Sequence, residues 1–252
     1  MKLEIRNLTK AFGGVRAIDD VSLAFPSGSL SAVIGPNGAG KSTFFNLISG
    51  AFAPDSGQVL LDGQDIVRLS RSQRMHRGIG RAFQVASCFP TMTVAENLMA
   101  AVTAHVGQWG NLSRRFPPPG VRERAEEVME LVGLTQVSNV EAAILSHGDQ
   151  KLLDIAIALA LEPKVLLLDE PTAGMGTEER WRMIDKVHEL WKQQKITVVF
   201  IEHDMDIVFK IAPEIVVLCY GRILATGAPD AIRQNPAVIE AYLGTEYSGE
   251  AV

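Results

Sequence analysis

The sequence predicts an α/β fold with a helical subdomain inserted in it, and three observations carry that prediction. Short strand-like runs alternate with helical patterns along most of the chain. A glycine-rich segment stands between an apolar strand and an apolar helix face. The strand signal then vanishes over one long internal stretch. A length of 252 residues, at about 150 residues per domain, gives roughly 1.7 domains, room for one α/β core and an insertion. Hydrophobic residues make up 47% and charged residues 21%, an ordinary globular composition far from disordered, collagen-like or disulfide-scaffold chains.

Taken in order, Met1-Lys2-Leu3-Glu4-Ile5-Arg6 alternates apolar with charged residues. It lacks the continuous apolar stretch of a secretory signal and reads as a strand at residues 3–5, near an edge or an exposed face. Residues 30–34 and 165–168 are almost continuously apolar, as strands covered on both faces are. Further strands are predicted at 59–61, 197–201 and 215–218. Between about Phe89 and Leu161 helical patterns take over, at 93–105, 121–132 and 150–161. The chain therefore divides into an α/β core of residues 1–88 and 162–252 and a helical subdomain of residues 89–161. Within the latter, residues 107–120 contain glycines and Pro117-Pro118-Pro119, which deny a helix its amides and predict a loop. Gly227 and Pro229 mark a turn, followed by short helices ending near Leu243. The most apolar stretches, 152–161 and 197–201, are too short to span a membrane.

With 24 basic and 29 acidic residues the net charge is −5, which removes the electrostatic driving force for non-specific nucleic-acid binding. No nucleic-acid partner is expected. Cys88 and Cys219 stand alone, outside any paired metal-ligand spacing, and suit a reducing compartment.

Gly35-Pro36-Asn37-Gly38-Ala39-Gly40-Lys41-Ser42 matches G-x-x-x-x-G-K-[ST], and Thr43 follows. The context fits, with the apolar strand 30–34 before it and Phe44-Phe45-Asn46-Leu47-Ile48 as a helix face after it. Such a loop converges backbone amides on anionic oxygens at a helix N-terminus. Lys41 is then expected to pair with β- and γ-phosphates and Ser42 to coordinate Mg²⁺. The strand 165–168 ends in Asp169-Glu170. Two carboxylates closing a buried strand are costly unless used. Asp169 is expected to support Mg²⁺ and Glu170 to polarise the water attacking a γ-phosphate. His203, two residues past the strand 197–201, is placed to donate toward that phosphate.

These elements, in this order, resemble the nucleotide-binding subunit of an ATP-binding-cassette transporter over almost the whole chain. Leu145-Ser146-His147-Gly148-Asp149-Gln150 is similar to the family's Leu-Ser-Gly-Gly-Gln signature at a helix start. The resemblance implies a P-loop NTPase cassette with a mixed sheet core, an antiparallel β part at the N-terminal side and the inserted helical subdomain. It also implies ATP and Mg²⁺ as cofactors, bound by Gly35, Asn37, Gly38, Ala39, Gly40, Lys41, Ser42 and Thr43. Two cassettes sandwich two ATP molecules, so Ser146 and Gly148 serve the partner's nucleotide. Phe12 resembles the aromatic that stacks on adenine. Gln84 resembles the glutamine that reports Mg²⁺ and γ-phosphate occupancy, and is placed here with both the catalytic and the metal-contacting residues. Residues 85–93, including Phe89-Pro90, are then expected to face the membrane subunit.

Within the family, Phe12-Gly13-Gly14, Ile201-Glu202-His203-Asp204-Met205 and Ile239-Glu240-Ala241-Tyr242-Leu243-Gly244 resemble the ATPase subunits of branched-chain amino-acid and related amide or urea importers. The implied activity is ATP hydrolysis driving uptake of a small polar solute. Implied partners are transmembrane permease subunits, a second cassette ATPase in a homo- or heterodimer, and indirectly a periplasmic or extracellular solute-binding protein. The implied location is peripheral, at the cytoplasmic face of the inner (plasma) membrane. The alternatives are a lipopolysaccharide-export-like exporter ATPase, whose tail is similar, and a soluble cassette ATPase of DNA repair or translation. The latter usually carries coiled-coil insertions, zinc cysteines or tandem cassettes.

His147 and Asp149 stand where the family signature has Gly and Gln, and Gly176 departs from the inter-subunit loop; Asp149 and Gly176 matter most. Asp149 stands where the signature has Gln, and a carboxylate there repels a γ-phosphate unless it points away or pairs with a cation such as Lys151. Gly176, in Ala173-Gly174-Met175-Gly176, stands where the inter-subunit loop has Asp. Both departures lie in elements serving the partner's nucleotide, which predicts an asymmetric heterodimer.

Overall fold

The structure is a computed structural model that describes residues 1–82, 88–107 and 117–247, with side chains as far as Tyr242. The chain divides into two compact units, Met1–Arg74 with Lys195–Val252, and Met75–Gln194.

The first unit opens with an antiparallel sheet. Strand β1 (Leu3–Phe12) lies between β2 (Val15–Phe25) and β4 (Ser56–Leu61), with the short β5 (Gln64–Asp65) beyond β4. Alternation in β1 buries Leu3 and Ile5, as the sequence predicts, but the strand continues to Phe12. Strand β2 was not predicted, for a visible reason. The β1–β2 ladder shifts register three times, and Asn7 and Asp20 take left-handed backbone angles of 47° and 55°. These irregularities space the buried residues Ile18, Val21 and Phe25 by three and four rather than by two.

Strand β3 (Leu30–Ile34) pairs in parallel with β8 (Thr197–Ile201) and β9 (Glu214–Cys219), and β9 pairs antiparallel with β10 (Arg222–Gly227). Every residue of β3 and β8 is buried, which is why both read as continuous apolar runs. Helix α1 (Lys41–Ser49) follows β3, and α2 (Arg71–His76) ends this N-terminal part. Arg74, only 1% exposed, donates to the carbonyls of Leu47 and Ile48 at 2.6 and 2.8 Å and to those of Leu69 and Val67. It thereby caps the C-terminal turn of α1, whose carbonyls otherwise lack donors. The remainder comprises α7 (Met205–Ile211), α8 (Pro229–Arg233) and α9 (Pro236–Tyr247), the latter two matching the predicted short terminal helices.

In the second unit β6 (Ile79–Ala82) pairs in parallel with β7 (Val165–Asp169). Helices α3 (Val94–His105), α4 (Val121–Val132) and α5 (His147–Ala160) pack on one another. Thr93 and Glu96 cap α3 reciprocally, and Gly120 and Gly133 bound α4. Helix α5 starts earlier than predicted because Ser146 caps it and adds a turn. Among the described residues of 88–161 there is only an isolated bridge, Thr93 with Glu141, and no strand. Helix α6 (Thr177–Gln194) was not predicted, although Met183, Ile184, Val187 and Leu190 line its buried face. Its other positions are mostly polar, which dilutes the pattern. Most of the predicted loop 107–120 lies outside the described residues. Among the described residues no helix is long and apolar enough to cross a membrane.

Candidate functional site

The phosphate loop of the first unit grows out of β3. After Ile34 the chain passes Gly35, at φ 152°, where a Cβ would overlap the carbonyl oxygen of Leu218. It reaches Gly40, at φ 102°, where a Cβ would overlap the carbonyl oxygen of Ala17. Only glycine accepts both the angle and the approach. Gly40 is the N-cap of α1 and offers no side chain, and the first turn carries no acidic residue. The helix therefore presents uncapped amides with the positive end of its dipole, the physical basis of an anion site. Asn37, Gly38 and Ser42 are exposed, Gly40 and Thr43 half-buried, and Ala39 buried. Lys41, 7% exposed, donates through Nζ to the carbonyls of Gly35 at 2.7 Å and Pro36 at 3.1 Å. Its ammonium is thus held along the loop it is expected to serve.

Phe12 ends β1 with its ring 44% exposed, edge-on to Phe52 at 5.4 Å. Lys10 Nζ lies 5.4 Å from the Phe12 centroid and 2.8 Å from Asp55. That ammonium, with the Ala11 amide, holds the Asp55 carboxyl below the usual carboxylate range. Sequence reasoning missed Phe52, which no linear pattern links to Phe12. His203 is exposed. Its backbone N–H donates to Glu202 Oε2 at 3.2 Å, and Asp204 next to it caps α7.

In the second unit Asp169 closes β7, 7% exposed, and its Oδ2 accepts from Arg81 Nη2 at 2.7 Å. Both side chains are buried, at 8% and 7% exposure. Arg81 was not anticipated, because an arginine within a short strand carries no signal of its destination. Glu170 follows with a left-handed φ of 50°, a conformation a non-glycine residue holds only at a cost. Its carbonyl closes a turn with the Ala173 amide at 3.1 Å. Gln84 lies outside the described residues.

The predicted signature opens α5. Ser146 Oγ accepts from the Asp149 amide at 3.1 Å and donates to Asp149 Oδ2 at 2.8 Å. Asp149 is thus engaged by the serine hydroxyl of its own cap. His147 Nε2 lies 3.0 Å from the carbonyl oxygen of Ala173, linking the start of α5 to the segment after Glu170. Gly148 is buried, and a Cβ there would overlap the Glu179 carboxylate. Beside it a cavity of about 490 Å³ is lined by residues that include Ser146, Gly148, Asp149 and Glu179. Gly176 has nothing within 4 Å of where its Cβ would stand.

Residues 18–173 match the family described as ABC transporter, and residues 222–248 match the family described as branched-chain amino acid ATP-binding cassette transporter. The chain is 39% identical, over 96% of its length and 97% of the relative's, to the high-affinity branched-chain amino acid transport ATP-binding protein BraF of Pseudomonas aeruginosa. Its fold is similar to the ADP conformation of an ATP-binding cassette of an ABC transporter, at TM-score 0.84 and 32% identity, over 97% of this chain and 99% of that one. It is also similar to a dimeric cassette in a post-hydrolysis state bound to ADP and Pi, at TM-score 0.76 and 25% identity, over 90% and 98% of the two chains.

Proposed function

Because this chain belongs to the ABC transporter family of ATP-binding cassettes, we propose that it hydrolyses ATP to drive a membrane importer of branched-chain amino acids or related small polar solutes. The observation that carries this reading is the glycine loop closed on an uncapped helix start, in a chain whose residues 222–248 match the branched-chain cassettes. That C-terminal match supports import over the export alternative.

In the proposed mechanism the amides of residues 37–43 and the Lys41 ammonium hold the β- and γ-phosphates. Phe12 offers its exposed ring to adenine, with Phe52 and Lys10 fixing that ring's surroundings. The exposed Ser42 hydroxyl and the Asp169 carboxylate are hard oxygen donors of the kind Mg²⁺ takes alongside substrate phosphates. When bound, the ion neutralises charge developing on the transferred phosphoryl group. Glu170 orients the attacking water and takes its proton as the new P–O bond forms and the bond to the β-phosphate oxygen breaks. His203 donates to the γ-phosphate, Gln84 reports its presence, and Ser146 and Gly148 face the partner's nucleotide. Residues 89–161 form the helical subdomain that carries the signature, and Phe89, 58% exposed, belongs to the surface for the permease. The chain then sits peripherally at the cytoplasmic face of the inner membrane, held there by permease subunits.

The test is Glu170→Gln. Hydrolysis should fall by at least about 100-fold, the scale of a lost general base, while ATP binding persists by equilibrium titration. Normal turnover in that variant removes Glu170 from the mechanism.

A further inference from the structure

The imidazole of His147, in the first turn of α5, stands where the family signature has glycine and has no role in the chemistry above. Its Nε2 lies 3.0 Å from the carbonyl oxygen of Ala173. A carbonyl oxygen only accepts, so the proton of this bond sits on Nε2, in the neutral ring and in the imidazolium alike. The ring also has a built seat. Gly174 has φ 80°, and a Cβ there would stand 2.9 Å from Nε2 and 3.4 Å from Cδ2 of His147. Only glycine at 174 combines that angle with so close a ring.

Ala173 is held through both polar groups of its backbone. Its carbonyl meets His147, and its amide donates to the carbonyl of Glu170 at 3.1 Å. Next along the chain, the Met175 amide donates to the Thr172 carbonyl at 3.2 Å, and Arg180 Nε donates to the Met175 carbonyl at 2.9 Å. Thr172 and Met175 are each 3% exposed, so the stretch from Glu170 to α6 is a packed series of turns. The first turn of α5 meets that stretch again at its far end, because Gly148 has no Cβ where the Glu179 carboxylate of α6 approaches.

We propose that His147 is a positioning residue that ties the start of α5 to the turn behind Glu170. On the ATP-hydrolysing reading, on which this rests, Ser146 and Gly148 face the partner's nucleotide while Glu170 serves this chain's own. The tether joins the two. When the start of α5 closes on the partner's nucleotide, the Ala173 carbonyl moves with it, and the Ala173–Glu170 turn carries that movement to the carboxylate. Such a link acts on the catalytic step without touching the phosphate loop, so its loss appears in kcat and not in ATP affinity.

The experiment compares the full chain, in its assembled complex, with His147→Ala and His147→Gln. Alanine removes the donor, whereas the glutamine amide nitrogen ends about as far from the backbone as Nε2 and donates to the same carbonyl. In His147→Ala, kcat at saturating ATP with Mg²⁺ should fall about five-fold, the scale of one neutral hydrogen bond, while Kd for ATP stays within about two-fold. Exchange of the Ala173 amide with solvent deuterium, followed in the full chain alone, should accelerate. His147→Gln should restore both kcat and the slow exchange. If alanine and glutamine give the same kcat, or if Ala173 exchange is unchanged in His147→Ala, the proposal is overturned. A loss confined to Kd, with kcat intact, overturns it as well. If the unsubstituted chain binds no ATP, the functional reading fails by itself, and Ala173 exchange with and without the donor still decides whether the tether exists.

Discussion

At the scale of single residues, the buried pair Arg81–Asp169 shows how position sets the worth of a charge. Removing one partner of a buried pair strands the other, which costs more than the pair itself contributes. Arg81→Met should therefore destabilise the chain by about 3–5 kcal/mol, read as a lower midpoint in urea with an unchanged slope. Mutation of the solvent-facing Arg6–Glu4 pair should leave the same midpoint essentially where it was, because water screens it. Arg81 was not legible in the sequence as the partner of Asp169. Lys41, Asp169, Glu170 and His203 could be singled out from the sequence because each stands in or beside a contiguous run of strand and turn residues whose chemistry is local. Arg81 and Phe52 reach their partners only through folding, and their residue types carry no spacing that announces it.

At the scale of elements, periodicity was readable where the backbone is regular and lost where it is not. The strands β3, β7 and β8 announce themselves as apolar runs, and α4 keeps its buried positions Val121, Ala125, Val128, Met129 and Val132 on a helical stripe between two glycines. Strand β2 was illegible because the bulges that bend it also replace its two-residue period. Helix α1 raises a different question, since nine residues are too few for a helix to be stable alone. Its uncapped N-terminus, needed for phosphate, leaves stabilisation to its apolar face and to the Arg74 bonds on its last turn. Arg74→Met should keep the methylene packing but strand several buried carbonyls. The expected loss is about 2–4 kcal/mol, measured by denaturant unfolding. A loss under about 0.5 kcal/mol would show that water replaces the guanidinium and that α1 needs no such cap.

At the scale of the whole molecule, the departures from the family pattern at Asp149 and Gly176 acquire physical content. Asp149 is satisfied locally by the Ser146 hydroxyl and amide-side bonds, so it stabilises the start of α5 as a carboxylate at a helix N-terminus does. That same carboxylate disfavours a partner's γ-phosphate, which the helix end would otherwise attract. Gly176 adds no acceptor, yet its surroundings leave room for one, with nothing within 4 Å of the Cβ position. On the proposed reading, both features would weaken what this chain offers a partner's nucleotide while leaving its own loop, Lys41 and Glu170 untouched. The proposed function then predicts an asymmetric pair, in which a second, different cassette supplies the better signature to the nucleotide on this chain. Purification of the tagged chain from native membranes should then recover two permease chains and a second cassette ATPase. In that assembled complex Asp149→Gln with Gly176→Asp should raise ATP turnover, by up to about two-fold if the slower of two sites is brought level with the faster, since total flux is the sum over sites. Turnover that falls or stays level, with the complex intact by size-exclusion chromatography, would mean that the Ser146–Asp149 cap is part of a working signature and that the two sites are equivalent.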